Sequence, residues 1–266
     1  MLSTPRRLLR HRSLLAALTL RELKARYRGS LLGFFWSLVN PLLLLGVYSF
    51  VFGFVFRRPW SDTEPYAVFL VSGLFPWIWT SSSLLEGTTS LVGNAGLIRK
   101  AVFPIEILPL VPVLANLVHL VFALPIVALA LVAGRLLGYP VGGAWGLALP
   151  LVIVLQLPML AGLSLGLAAL NVHFKDIRDL LANLLQLLFF LTPILYTVDS
   201  ISLPLIRGLI RLNPFTPFTV SYQHLLFSGR APEPVDLGSM LVVSVLAWWL
   251  GSALFERLAE TIAEAV

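Results

Sequence analysis

The chain has 266 residues, of which 58% are hydrophobic and only 12% are charged, with a formal net charge of +6 and no cysteine. A soluble domain carries about a quarter charged residues, so the composition excludes an ordinary water-soluble protein, and the missing cysteines exclude disulfides and thiolate metal sites. Several continuous apolar runs reach the roughly 20 residues that a membrane-crossing helix needs, without the alternation of a membrane β-barrel. The sequence therefore predicts a single all-α polytopic membrane domain over residues 1–266, whose basic residues meet lipid headgroups and not nucleic acid.

Residues 1–30 predict a basic amphipathic helix that lies on the membrane surface. Three basic residues recur at i, i+3 and i+7 on one face: Arg21, Lys24 and Arg28. Glu22 and Arg26 have the i, i+4 spacing of a helical ion pair. More basic residues follow the short apolar stretch where a signal-peptide cleavage site would lie, so we expect this interfacial helix to be retained.

Six membrane spans are predicted, at approximately residues 31–56, 66–91, 107–133, 145–170, 180–198 and 237–255. Six spans put both termini on the same side of the membrane. The two termini and the two loops on that side, 92–106 and 171–179, hold 13 of the 19 lysine and arginine residues. By the positive-inside rule, that side is cytoplasmic.

The fourth predicted span contains a pair of glycines at GxxxG spacing, Gly162 and Gly166. Small residues at this spacing let two helix backbones approach closely in a membrane. The pattern favours close helix packing and is weak support for a dimer.

Residues 199–236, between the fifth and sixth predicted spans, contain two apolar pieces punctuated by Pro204, Pro214 and Pro217. Each piece is too short to cross a bilayer and suits a re-entrant or interfacial helix. Irregular backbone at membrane depth is tolerated only where protein or a water-filled cavity surrounds it. We therefore predict a pair of gate helices on the outer face, with an amphipathic surface loop as the alternative.

The sequence carries no motif for ATP hydrolysis or for common hydrolytic chemistry, since GxxxxGK[ST], HExxH and GxSxG are all missing. We predict no catalytic residue, metal ligand or cofactor in this chain, and expect the isolated His119 and His224 to be packed or interfacial. Any transport work must then draw on an ion gradient or on a partner ATPase. Glu86, in the polar stretch 80–90, is the best candidate for an ion-coupling or path-lining residue; the alternative is that it bonds neighbouring helices.

The loop that follows the second span contains an apolar and basic segment over residues 97–102, which Pro104 ends. A short helix there would present Arg99 and Lys100 to the cytoplasm. It suits docking to a soluble partner, although the pattern by itself favours a simple positive-inside loop.

Aromatic residues crowd the first two spans. Most membrane aromatics pack or anchor at the interface, whereas a few that face a pore would stack on the apolar faces of sugar rings. The candidates for contact with a transported substrate are Trp36, Tyr48, Phe52, Phe75, Trp77, Glu86 and Tyr196.

Short motifs follow one another along nearly the whole chain: Leu20-Arg21-Glu22-Leu23-Lys24, Arg26-Tyr27-Arg28, Ser30, Leu32-Gly33, Trp36, Pro41, Ile98-Arg99-Lys100, Phe103-Pro104, Leu108-Pro109, Phe174-Lys175-Asp176-Ile177, Thr192-Pro193-Ile194-Leu195-Tyr196 and Asn213-Pro214. Together they resemble the permease subunits of ABC-2 type transporters that export polysaccharides such as O-antigen, capsule or teichoic acid. Each motif is short, and their order along the chain carries the resemblance.

The resemblance implies a homodimeric permease of the bacterial inner membrane that carries two copies of a separate P-loop ATPase, which would hold ATP and Mg²⁺. The ATPase would contact the interface helix (1–30) and a coupling helix within 93–106, through Arg21, Glu22, Lys24, Arg28, Leu97, Arg99 and Lys100. A lipid-linked polysaccharide would cross at the dimer interface, past periplasmic gate helices within 199–236 that include Pro204, Asn213 and Pro214. The segment after Asn213-Pro214 lacks the early basic residue of many relatives, so we assign it no substrate role.

Three other functions stay open. The first is an ABC-2 permease for a lipid or a drug. The second is a membrane-embedded transferase acting on a lipid-linked glycan, with Glu106, Asp176 or Asp179 as the required surface carboxylate. The third is an ion-coupled carrier, which the scarcity of mid-membrane charge disfavours.

Overall fold

The computed structural model describes residues 10–29, 33–55, 63–100 and 104–265, and within these ranges the regular structure is entirely helical. The all-α prediction is confirmed. The main helices are α1 (Arg12–Arg26), α2 (Trp36–Tyr48) with a π-helical continuation over Ser49–Val55, α3 (Tyr66–Gly93), α4 (Ala95–Lys100), α5 (Leu110–Leu136), α6 (Leu149–His173), α7 (Ile177–Leu191), α8 (Pro204–Leu212), α9 (Thr216–Gln223) with a π-helical turn over His224–Ser228, and α10 (Pro234–Ala265).

In the described part of the chain, five helical segments are long and apolar enough to cross a membrane: Trp36–Val55, Tyr66–Gly93, Ile105–Leu136, Ala144–His173 and Pro234–Ile262. They correspond to the first four predicted spans and to the sixth. The ends of the first predicted span, at residues 31–32 and 56, lie outside the described residues. The chain is therefore a multi-pass helical membrane protein.

The predicted fifth span, 180–198, differs from the observed helix. α7 has 15 residues and ends at Leu191, because Pro193 has no N–H and disfavours helical backbone at Thr192, whose ψ is 137°. At 1.5 Å per residue, α7 is about 22 Å long, less than the roughly 30 Å of a hydrocarbon core. The prediction of a continuous helix to residue 198 is wrong. A membrane crossing by the fifth predicted span, which would bring the total to six, stays a prediction.

α3 is the central helix of the bundle. It packs against α5, α6, α7 and α9. Of its most apolar stretch, 78% is buried inside the protein, compared with 6% for the segment Trp36–Val55. Its buried side chains, such as Leu70, Leu74 and Trp79, form the largest hydrophobic cluster with Met159 and Ile194. α3 thereby fixes the positions of the helices around it.

α6 and α10 form the most extensive helix pair. A methyl group on Gly162 would overlap the backbone of Ala247 and Trp248, and one on Gly251 would overlap the backbone of Gly162. The close approach predicted from the GxxxG spacing is confirmed, and it occurs within one chain.

The segment 199–236 contains two short helices, α8 and α9, separated by a turn at Asn213 and Pro214. The prediction of two short helical pieces is confirmed. Their depth in the membrane stays a prediction.

Candidate functional site

A cavity of 430 Å³ lies between α1, α2, α3 and α5, and we call it the α1 cavity. Aromatic and polar side chains share its wall: Trp36, Phe75, Trp79, Tyr27, Ser37, Asn40, Ser82, Asn116 and His119, with Arg26 at one end. Indole and amide groups in one cavity suit a ligand with both apolar faces and hydroxyl groups.

Arg26 and Asn116 of the cavity wall form a closed hydrogen-bonded ring with Glu86. Nη2 of Arg26 donates to Oε2 of Glu86 over 2.6 Å, and Nη1 of Arg26 donates to Oδ1 of Asn116 over 3.1 Å. Nδ2 of Asn116 completes the ring by donating to Oε2 of Glu86 over 2.8 Å. The ring joins α1 to both α3 and α5 through charge-assisted bonds, which are stronger than neutral ones.

Two further contacts support the ring. The predicted i, i+4 pair is confirmed, with Oε1 of Glu22 3.8 Å from Nη2 of Arg26. The hydroxyl of Tyr27 lies 2.8 Å from Nε2 of His119 on α5. Burial raises the pKa of Tyr27 above its usual value, so its hydroxyl stays protonated.

The basic residues predicted to share one face of α1 do so. Arg21, Lys24 and Arg28 are exposed and border an open surface cavity with Leu20. On the opposite side, Leu15 and Leu18 pack against a cluster that contains Leu91, Leu108 and Phe255. α1 therefore packs on the bundle through its apolar face and leaves its basic face uncovered.

α4 packs on the same cluster as α1. Leu97 and Ile98 are half-buried against it, whereas Arg99 is exposed. The side chain of Lys100, like residues 101–103, lies outside the described part. The two segments predicted to contact an ATPase therefore pack against a common cluster, and their contact with a partner stays a prediction.

The aromatic substrate candidates separate into two groups. Trp36 and Phe75 line the α1 cavity, whereas Glu86 does not line it and bonds to Arg26 of its wall. The others pack around α7 and α9: the ring of Tyr48 stacks on Phe189 at 5.5 Å and lies 6.3 Å from that of Phe52, and Trp77 meets Phe215 edge-on at 5.7 Å. Tyr196 donates its hydroxyl to the carbonyl of Phe190 over 3.0 Å.

The predicted gate residues have distinct structural positions. Pro204 begins α8, and Pro214 is exposed. Asn213 is buried, its Nδ2 donating to Oγ1 of Thr192 over 2.9 Å and its Oδ1 accepting from the N–H of Phe215 over 3.0 Å. Asn213 thus connects the end of α7 to the start of α9.

Sequence reasoning missed two features. Asn116 is an amide within an apolar span, a pattern that signals an interhelical hydrogen bond. The second feature is a 320 Å³ pocket beside α9, here named the α9 pocket, whose wall includes Asp199, Arg211, His224, Arg230, Glu233 and Asp236. The signal for it was the concentration of charge in residues 199–236.

The carboxylates of the transferase alternative differ in their exposure. Glu106 is buried, whereas Asp176 and Asp179 are exposed, and Asp179 lies 3.3 Å from Arg178.

The family model of the ABC-2 type transporter matches residues 13–227. The chain belongs to the ABC-2 type transporter family. This ABC-2 chain is 38% identical, over all of both chains, to the O-antigen export system permease protein RfbA of Myxococcus xanthus. It is 31% identical to an RfbA protein of Klebsiella pneumoniae, over 94% of each chain, and 24% identical to the polysialic acid transport protein KpsM of Escherichia coli, over 90% of this chain and 91% of KpsM. The resemblance to this family is confirmed.

Proposed function

We propose that this chain is the permease subunit of an ATP-driven exporter that moves a lipid-linked, O-antigen-like polysaccharide across the bacterial inner membrane. The observation that carries the proposal is the 38% identity over the full length to a permease named for O-antigen export. The relative named for polysialic acid transport supports the same cargo class, a polysaccharide. The lipid or drug alternative has no comparable support.

The sequence of this chain has no phosphate-binding loop. We therefore assign ATP hydrolysis to a separate P-loop subunit, which binds ATP and Mg²⁺. The uncovered basic face of α1 and the exposed Arg99 of α4 support docking of that subunit on this side. We assign two copies of the ATPase to a homodimer of this chain.

The exposed apolar face of α2 and its π-helical continuation supports the homodimer. Leu43, Val47, Phe50 and Phe54 are each more than half exposed in the single chain. A second copy would cover part of this surface and lipid the rest, and the polysaccharide would pass between the two copies.

The topology consists of six crossings with both termini in the cytoplasm. The distribution of lysine and arginine supports this orientation. α8 and α9 then face the periplasm and form the gate, whereas α1 and α4 face the cytoplasm.

The α1 cavity is our candidate for glycan contact on the cytoplasmic side. Trp36 is 42% exposed at its mouth, and Asn40 and Ser82 supply polar groups. The cavity therefore provides an aromatic face and hydrogen-bonding groups for a sugar ring.

The experiment that tests the function is complementation of a strain deleted for this gene, with surface polysaccharide measured on cells. We expect the wild-type chain to restore export and to co-purify in mild detergent with a P-loop ATPase. Reversal of charge at Arg99 and Lys100 should reduce that co-purification several-fold, whereas the control Lys175→Glu, in an exposed loop on the same side, should leave it unchanged. Restored export without an ATPase partner, or lipid export without polysaccharide, would overturn the proposal.

The role of Trp36 is tested in the same strain. We expect Trp36→Ala to reduce export while the protein folds and binds the ATPase. The matched control is Trp145→Ala, an exposed tryptophan between α5 and α6 that does not border the α1 cavity. Equal export by the two variants would assign Trp36 to packing alone.

A further inference from the structure

The α9 pocket contains charged groups of both signs that do not pair with one another. Its 320 Å³ space is bordered by three carboxylates and two guanidinium groups, from Asp199, Glu233, Asp236, Arg211 and Arg230. Within the described ranges, none of these groups takes part in an ion pair. The charges therefore face the cavity and remain accessible to a ligand.

The side chain of His224 also belongs to the wall of this pocket. Nδ1 of His224 is buried without a hydrogen-bond partner among the described residues. Burial lowers the pKa of His224, so the ring is neutral near neutral pH and can donate or accept one more hydrogen bond. Buried polar atoms are normally satisfied, so an unpartnered nitrogen in the pocket wall is unusual.

The wall of the pocket is held in place by backbone contacts. The N–H of Gly142 donates to the carbonyl of Phe227 over 2.8 Å, and the N–H of Arg230 donates to the carbonyl of His224 over 2.9 Å. Gly229 has a φ of 63°, and a side chain there would overlap the backbone of Gly142. The loop before α6 therefore supports the wall, and the pocket is preformed.

The mixture of charges selects the chemistry of the ligand. Three carboxylates would repel an anion, and two guanidinium groups would repel a cation; in addition, no cluster of metal-binding side chains occurs in the described residues. A hydroxyl group both donates to a carboxylate and accepts from a guanidinium group. A neutral, polyhydroxylated molecule can satisfy both signs at once.

We infer that the α9 pocket binds a neutral sugar unit of the exported polysaccharide on the outer side of the membrane. The inference rests on the proposed function for the identity of the glycan and for the side on which the pocket opens. In this position the pocket would hold the emerging polymer between export steps and oppose its backward movement.

The test uses cysteine labelling, because the chain has no cysteine of its own. The Ser239→Cys variant carries a thiol in the pocket wall, and Pro140→Cys carries one on the loop before α6, outside the pocket. The purified exporter in lipid nanodiscs is treated with a charged, membrane-impermeant maleimide. The probe is an oligosaccharide repeat released by mild acid from the surface polysaccharide of the strain that carries this gene.

We expect a saturating concentration of the probe to slow labelling of Ser239→Cys at least threefold and to leave Pro140→Cys unchanged. Adding Asp236→Asn should abolish the protection. Thr197→Cys serves as a second wall position if Ser239→Cys does not fold. Unchanged labelling at both wall positions, or protection by inorganic phosphate or Ca²⁺ in place of the sugar, would overturn the inference.

Failure of the inference is distinguishable from failure of the proposed function. If Ser239→Cys restores polysaccharide export in the deletion strain but shows no protection, the pocket does not bind the glycan and the exporter assignment stands. If the wild-type chain restores no export, the function itself is wrong.

Discussion

Charged side chains occur at both the α1 cavity and the α9 pocket, but they form an ion pair at the first and none at the second among the described residues. At the α1 cavity, Arg26 and Glu86 are in direct contact, and the buried Asn116 bonds to both. In the α9 pocket, opposite charges such as those of Arg211 and Asp236 border one space without forming an ion pair among the described residues. The first arrangement stabilises the fold, and the second leaves charge for a ligand.

Polar groups that lose solvation destabilise a membrane protein, and the two sites show two uses for polar groups: stabilising the fold and binding a ligand. A partly buried guanidinium group without a partner loses solvation, so Arg26 needs Glu86. In the α9 pocket, Asp199, Arg211, Arg230 and Glu233 are exposed and Asp236 is half-buried, and none of them forms an ion pair with a described residue. Substitutions in the ring should therefore mainly reduce stability, whereas substitutions in the α9 pocket should mainly reduce export.

The largest loss of stability is expected for Glu86→Ala, which leaves Arg26 and Asn116 without their shared acceptor. We expect the unfolding free energy to fall by about 2 kcal/mol, between the values for exposed and buried pairs. The measurement is the thermal unfolding midpoint in detergent. Asp179→Ala is the matched control, because the pair of Asp179 with Arg178 is exposed, and the same midpoint for both variants would contradict the structural role.

A double-mutant cycle sharpens the same point. Removing both charges, with Arg26→Gln and Glu86→Gln together, should cost less than the sum of the two single changes, because no charge is then left unpaired. We expect a coupling of about 1 kcal/mol, measured from the four unfolding midpoints. Additive losses would show that the two side chains act independently.

Tyr27→Phe removes the hydroxyl that joins the end of α1 to His119 on α5 and that also bonds to Ser37, and it keeps the ring in place. The expected loss is about 1 kcal/mol, the net value of a typical hydrogen bond. Tyr139→Phe is the control, since no side-chain hydrogen bond of Tyr139 occurs within the described residues. If both variants unfold at the same temperature, the contact between Tyr27 and His119 contributes nothing to stability.

The smallest effect on stability is expected for Asp236→Asn in the α9 pocket. Its carboxylate makes no ion pair with a described residue, so the change in unfolding free energy should stay within about 0.5 kcal/mol. Export should nevertheless fall, as measured by surface polysaccharide on cells. A loss of stability as large as that of Glu86→Ala would mean that this carboxylate serves the fold.

Much of the architecture was predictable because a membrane imposes local rules. The lengths of the apolar runs predicted five of the observed long helices, and the glycine spacing at Gly162 predicted the close approach to α10. The predicted helix through 180–198 was wrong because the hydrophobic pattern continued past a backbone break that Pro193 imposes. At this position the proline predicts the end of the helix better than the hydrophobic pattern does.

For Glu86, the sequence left two uses open, a hydrophilic path or a bond between helices. The structure shows the bond, with a partner 60 residues away in the chain. The sequence placed Trp36 and Tyr48 in one group of aromatic candidates. The structure separates them, because Trp36 lines the α1 cavity and Tyr48 packs on Phe189.

The sequence by itself determined the helical class, the membrane location, the family motifs and the basic face of α1, because each depends on composition or on spacing within one helix. The tertiary structure decided which polar groups pair and which remain accessible. That distinction depends on how helices pack against one another: the ring unites α1, α3 and α5, and the wall of the α9 pocket joins residues 197–239 to Phe69 of α3. Pairing is a property of distances between helices, which no local pattern specifies.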